Sequence, residues 1–289
     1  MLHRIAPLAF VFLWSTGWIV ARYVVDFADP LLFLVFRFLF AGLILGAFAL
    51  AVRAAWPRTG QERIHALVSG VLLHTGYLGG VWWAVQHGLS ASLSALISAI
   101  QPILTAAIAP LLLGERFGAE RAIGIALGFC GLFMVMLPRL SAATGADGSA
   151  AFPILVNCLS MVSVTAGTLY QKRFIRTGDL RTIAALQYAS ATVVMIPFAV
   201  LIGDLHFHWS LFAALNLAWA VGGLSIGAIA LLLFLIRQGE ISRASQLLFL
   251  VPPVAALQAM ILFGDRLAPV QWAGMAMTAA GVALSMRRA

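Results

Sequence analysis

The 289-residue chain is 62% hydrophobic and only 10% charged, with a formal net charge of +8 and a mean hydropathy of +1.01. Soluble domains are about one quarter charged, so this composition excludes a water-facing surface. The lack of ~10-residue alternating segments excludes a β-barrel. The basic residues are scattered singly between apolar runs rather than clustered among aromatics, which argues against nucleic acid as a partner.

Apolar runs of about 20 residues, long enough to cross a ~30 Å hydrocarbon core, fall near 5–25, 31–52, 64–86, 91–113, 120–138, 152–171, 181–202, 210–236, 242–263 and 269–286. The first is too long for a signal-peptide core, and no small-x-small cleavage pattern follows it, so it reads as a retained span. It carries Trp14 and Trp18, four residues apart on one helix face. The second carries Arg37 about seven residues in, and a guanidinium at that depth calls for a partner or a function. Two readings stand side by side: a gate or carboxylate contact, and a structural brace. The third, "HTGYLGGVWWAVQHG", combines His74 and Tyr77 with Gly76, Gly79 and Gly80, while Trp82 and Trp83 read as interfacial belt residues. The fourth holds Gln101 and Pro102, and the fifth and sixth each hold one cysteine, Cys130 and Cys158. The sixth and seventh carry Ser163 and Gln187, and the ninth carries Gln246, Pro252 and Pro253.

Lys and Arg set the orientation. With the N-terminus in the cytoplasm, fourteen basic residues fall on inside segments and three on outside segments, which places both termini inside. The longest linker, "PRLSAATGADGSAAFP", divides the chain into two halves of five spans, 1–138 and 152–289, with 139–151 as an extracytoplasmic connection.

An offset of 150 aligns Gly17 with Gly167, Pro102 with Pro252, Gly114 with Gly264, Glu115 with Asp265, Arg116 with Arg266, Gly124 with Gly274 and Gly131 with Gly281. The match is weakest in spans three and eight. Because five is odd, the two copies enter the membrane from opposite sides, as in many secondary transporters. The expectation is an all-α integral membrane protein of ten transmembrane helices in two inverted five-helix repeats. Proline removes a helix hydrogen bond, and freed backbone in a bilayer is tolerated only against protein or a water-filled cavity. The paired prolines therefore predict a cavity near the midplane, with Arg37, Pro102, Pro252 and Pro253 as gate and hinge positions.

The turn "LWSTGW", the opening "DPLLFLVFRF" of span two, and the paired endings "P…LLLGERF…G……G" and "P…ILFGDRL…G……G" resemble the drug/metabolite transporter superfamily in its ten-span EamA-type branch. The resemblance covers essentially the whole chain. It implies an export carrier for small metabolites, amino acids being the best-known class, with a central cavity lined by spans one to four and six to nine. Spans five and ten would buttress the bundle or form a homodimer.

Aromatic walls with a few polar tips suit a partly apolar ligand. The candidate binding residues are Trp14, Trp18, His74, Tyr77, Gln101, Ser163, Gln187 and Gln246, and the partners are a small metabolite and membrane lipid. No carboxylate lies at a span centre, so His74 is the candidate for a proton role, with a neutral cavity histidine as the favoured reading. The alternatives are an intramembrane enzyme or a lipid-translocating protein. The sequence contains no H-E-x-x-H, no intramembrane Asp pair and no phosphate loop, so no catalytic residue, cofactor or metal ligand is assigned.

Overall fold

The computed structural model describes residues 2–113, 119–143, 151–175, 177–228, 230–231 and 251–285. The described chain is helical, and its one β pairing is an isolated antiparallel bridge between Ala28 and Phe207. Helical segments occupy each of the ten expected places. Four are long and apolar enough to cross a membrane: Pro30–Ala51, Gly60–Gln86, Ala151–Phe174 and Leu180–Ile202.

The helices start where short polar side chains offer an acceptor to free N–H groups. Helix α1 is Leu2–Val24. Helix α2, Pro30–Ala51, opens on Asp29, whose carboxylate accepts from the Leu32 N–H at 2.8 Å, with Pro30 in the first turn. Helix α3, Gly60–Gly70, opens on a capping box between Thr59 and Glu62. A π-helical stretch, Val71–Gly79, continues it into α4, Gly80–Gln86. Ser90 caps α5, Ala91–Ile97.

Ser98 and Ala99 then interrupt the fourth span before α6, Ile100–Leu113. Pro102 therefore lies in the first turn of α6, and the break falls just ahead of it, where a missing N–H costs little. Helix α7, Ala119–Ala143, runs past residue 139, so the expected start of the linker lies within a helix. Helix α8 is Ala151–Phe174, and α9, Leu180–Ile202, is capped by Asp179. Ser210 caps α10, Leu211–Ala218, and a second π-helical stretch, Trp219–Gly227, follows. Helix α11, Val251–Phe263, has Pro252 and Pro253 in its first turn, and α12 is Pro269–Ser285.

Two long helix pairings organise the packing. Helices α2 and α9 lie side by side and run antiparallel. At one end Asp29 meets the chain leaving α9, accepting from the Asp204 N–H at 3.3 Å. At the other, the Thr182 hydroxyl donates to the Ala55 carbonyl at 2.9 Å. Helices α7 and α12 also pack antiparallel. A Cβ on Gly131 would collide with Gly274 and Thr278, and one on Gly281 with Gly128. The Gln271 amide donates to the Val135 carbonyl across the same seam at 3.0 Å.

The third span lies between α8 and α9 because its glycines bring the backbones close. A Cβ on Gly70 would meet the Gln187 backbone, and one on Gly80 would meet the Ser160 hydroxyl. The loops at 25–29, 86–90, 203–210 and 264–268 gather at one pole. There Asp29 also accepts from Gln86 at 3.4 Å, and Ser92 donates to Asp265 at 2.6 Å. Many large apolar side chains remain exposed around the perimeter, among them Leu43, Val193, Leu201 and Ile261, as expected of a bundle solvated by lipid rather than water.

Candidate functional site

Both π-helical stretches pack on α2, the first also on α9, and side chains from these elements form a group of polar and aromatic residues. A π segment inserts one residue per turn and re-aims the side chains after it, and such segments recur at functional sites. Here each ends in a glycine-rich run, "HTGYLG" and "GGLSIG".

Arg37 on α2 is 5% exposed. Its Nε donates to the Ser225 hydroxyl on the second π stretch at 3.0 Å, and its guanidinium carbon lies 5.7 Å from the centroid of the Trp82 ring. Ser225 also receives Tyr188 from α9, whose hydroxyl donates to the Ser225 carbonyl at 3.4 Å. The His74 ring stacks on Tyr188 at 4.3 Å and 18°, and Phe38 closes the group behind both rings. Thr75 pins the first π stretch to α9 by donating to the Ala191 carbonyl at 3.2 Å. Tyr77 follows His74 three residues later on the same π stretch. His74 and Tyr77 keep part of their surface accessible, whereas Arg37, Tyr188 and Phe38 are buried.

The structure thus brings Arg37, His74 and Tyr77 to one place. The described contacts of the other candidates are with other partners. Gln187, the repeat mate of Arg37, donates to the Ser69 hydroxyl at 2.9 Å and to the Gln171 side chain at 3.3 Å. Ser163 donates to the Leu72 carbonyl at 2.9 Å, joining α8 to the first π stretch. The Gln101 carbonyl accepts from Thr105 at 2.8 Å. Trp14 packs on Phe10 with ring centroids 5.3 Å apart. Trp18 is buried, and its indole N–H has no partner among the described residues; the Gln258 amide is also unpartnered. A buried donor without a partner is a place for water or ligand. Pro252 is buried and Pro253 half-buried at the start of α11, and Gln246 lies outside the described residues.

Trp82 needs correction. Its place beside Trp83 near a span end reads as an interfacial belt, but it is 1% exposed, stacked on Phe33 at 5.5 Å and covered by Arg37. Trp83 is half-buried, packed against His87 and Phe152. The π stretch re-aims α4 and turns Trp82 inward, which an α-helical reading of the spacing misses.

Tyr188 and Ser225 were missed as site residues. The signal for Tyr188 was present, because it adjoins Gln187 at the repeat position of Arg37. Ser225 had no such signal, since the halves match poorly in spans three and eight.

The ion pairs among the described residues, Arg22–Asp26, Arg181–Asp179 and His206–Asp204, all lie at helix ends or in loops. None involves Arg37. No group of three or more His, Cys, Asp or Glu is arranged for a metal among the described residues. The arrangement sets guanidinium donors beside stacked aromatic faces.

Residues 5–137 and 151–287 each match the EamA-like transporter family. The chain is 27% identical to the uncharacterized transporter YvbV of Bacillus subtilis, over 95% of this chain and 88% of that protein. It is 24% identical to a probable amino-acid metabolite efflux pump of Salmonella typhimurium, over 96% of this chain and 92% of that protein. It is 26% identical to the uncharacterized inner membrane transporter YedA of Escherichia coli, over 96% and 89%. A solved crystal structure matches with a TM-score of 0.66 at 17% identity, covering 98% of this chain and 96% of the other, a likeness of fold.

Proposed function

Because the chain belongs to the EamA-like transporter family, we propose that it is an inner-membrane carrier that exports small metabolites, neutral or aromatic amino acids foremost, by alternating access between two inverted five-helix halves. The observation that carries this reading is the group of buried Arg37, Ser225 and Tyr188 with half-buried His74 and Tyr77, contributed by α2, α9 and both π stretches. Polar side chains are costly at membrane depth and occur where a substrate path needs them. A relative named as a probable amino-acid metabolite efflux pump supports the substrate class. One named as an inner membrane transporter supports the location.

The antiparallel pairings of α2 with α9 and of α7 with α12 are those expected when helices in equivalent places of two halves enter the membrane from opposite sides. In this reading, residues 1–138 and 152–289 are the moving halves. The cavity between them takes Trp14, Trp18, His74, Tyr77, Gln101, Ser163, Gln187 and Gln246 as its lining. Pro102, Pro252 and Pro253 lie at helix starts, and the Ser98–Ala99 break gives the fourth span a natural hinge. A homodimer would use the lipid faces that α7 and α12 leave after packing on each other.

The test is transport by purified protein in sealed liposomes with a panel of labelled amino acids. Saturable movement of an aromatic or neutral amino acid is expected. Movement of labelled phospholipid alone, or hydrolysis of peptide or lipid alone, overturns the proposal.

A further inference from the structure

Arg37 presents an electrostatic problem that its surroundings leave unsolved. It is 5% exposed, and removing a guanidinium from water without a counter-charge is among the costlier events in a protein interior. Its described contacts are one neutral hydroxyl, at Ser225, and the face of Trp82. The hydroxyl takes only Nε, leaving the two terminal nitrogens, which hold the fork of donors that fits a carboxylate in two parallel bonds. Carboxylates exist in the chain, but Asp26, Asp29, Asp179, Asp204 and Asp265 serve helix starts, loops and the pole.

We propose that Arg37 is the carboxylate anchor of the substrate site, held ready by Ser225 and Trp82, and that the site requires a carboxylate on its ligand while leaving an amino group without a fixed acidic partner. This deepens the transport reading and rests on it. The geometry supports the assignment. Ser225 holds the guanidinium Nε and is itself held by the Tyr188 hydroxyl at its carbonyl, and the guanidinium carbon lies 5.7 Å from the centroid of the Trp82 ring. His74, stacked on the same Tyr188 that holds Ser225, and Tyr77 keep part of their surface accessible, so an aromatic or aliphatic side chain has a wall to rest on while the carboxylate meets the fork. No described acidic side chain stands opposite to hold an ammonium. The ligand class that neutralises the site is therefore the monocarboxylates, zwitterionic amino acids and N-acylated forms alike, and amines are excluded.

Binding is measured as ligand-induced thermal stabilisation of the purified protein in detergent. The probes are L-phenylalanine, N-acetyl-L-phenylalanine and phenethylamine. Both carboxylates are expected to bind at least about tenfold more tightly than the amine, a modest demand on a charge-assisted pair. Arg37→Gln is expected to erase that preference, and Arg37→Lys to keep part of it.

Equal binding of all three probes to the unsubstituted protein overturns the proposal, and so does a preference that survives in Arg37→Gln. The comparison among probes needs no substitution, so it stands even where Arg37→Gln fails to fold. Transport of the same compounds in liposomes separates the two readings. Carboxylate-selective binding without movement overturns the carrier reading alone, while movement of phenethylamine as fast as phenylalanine overturns the anchor alone.

Discussion

Asp29 and Asp179 stand 150 residues apart, and each carboxylate accepts a backbone N–H at the start of a helix, α2 and α9. Asp29 does more, because it is fully buried and also takes the Asp204 N–H and the Gln86 amide. Losing a cap costs about 0.5–2 kcal/mol, and leaving further buried donors unpaired adds about 1–3 kcal/mol. Asp29→Ala is therefore expected to lower the thermal midpoint of the detergent-solubilised protein by more than Asp29→Asn, which retains a capping oxygen. An equal loss in both assigns the effect to the charge and not to the cap.

At the same pole, burial raises the Asp204 carboxyl, but hydrogen bonds from the side chain and N–H of His206 outweigh it and hold the group below the usual aspartate range. A depressed folded-state value contributes stability above the unfolded value and loses it as pH falls through the folded one. The contribution is small because Asp204 is mostly exposed. Asp204→Asn should therefore flatten the acid limb of a stability profile without moving its neutral plateau. At the centre, His74 supplies a stacked plane to Tyr188. Such contacts are worth about 0.5–1.5 kcal/mol. His74→Phe should preserve liposome transport, whereas His74→Ala should lower it by roughly two- to tenfold.

Among the elements, the third span shows how the repeat was disguised. Spans three and eight match poorly in sequence, yet each contains a nine-residue π-helical stretch, Val71–Gly79 and Trp219–Gly227. What the halves share there is a distortion and the glycines that permit it, not side-chain identity. Gly80 allows α4 to touch α8, where a Cβ would strike the Ser160 hydroxyl. Overpacking of this kind costs about 1–3 kcal/mol. Gly80→Ala should destabilise the protein measurably, and adding Ser160→Ala should recover most of the loss, since the clash is with Oγ. Additive losses in the double variant would place the strain elsewhere.

Across the whole molecule, the loops on either side of α2 and α9 separate into two poles. One holds the Ala28–Phe207 bridge, the other the Thr182–Ala55 bond. In a background with Cys130→Ala and Cys158→Ala, His208→Cys should react with a membrane-impermeant thiol reagent in intact cells. Gln61→Cys should react only after permeabilisation. The reverse pattern would invert the orientation drawn from Lys and Arg, and reaction at both positions would refute a membrane between the poles.

The sequence by itself determined the helical class, the places of the helical segments and the family. Those depend on length, hydropathy and a repeated motif, all of them local or linear properties. It also marked Arg37, His74 and Tyr77 as unusual for their depth. Only the tertiary structure decided that Arg37 meets Ser225 and His74 meets Tyr188, that Trp82 lies beneath Arg37, and that Ser163 and Gln187 join helices. In water, an apolar stripe points to the core and polar residues point away, so periodicity reveals the interior. In lipid both faces of a helix are apolar, and lateral contacts are chosen by close fit at small residues and by scarce hydrogen bonds. Which residues face one another is then a property of the assembled bundle, and two π-helical stretches reset the side-chain register within it.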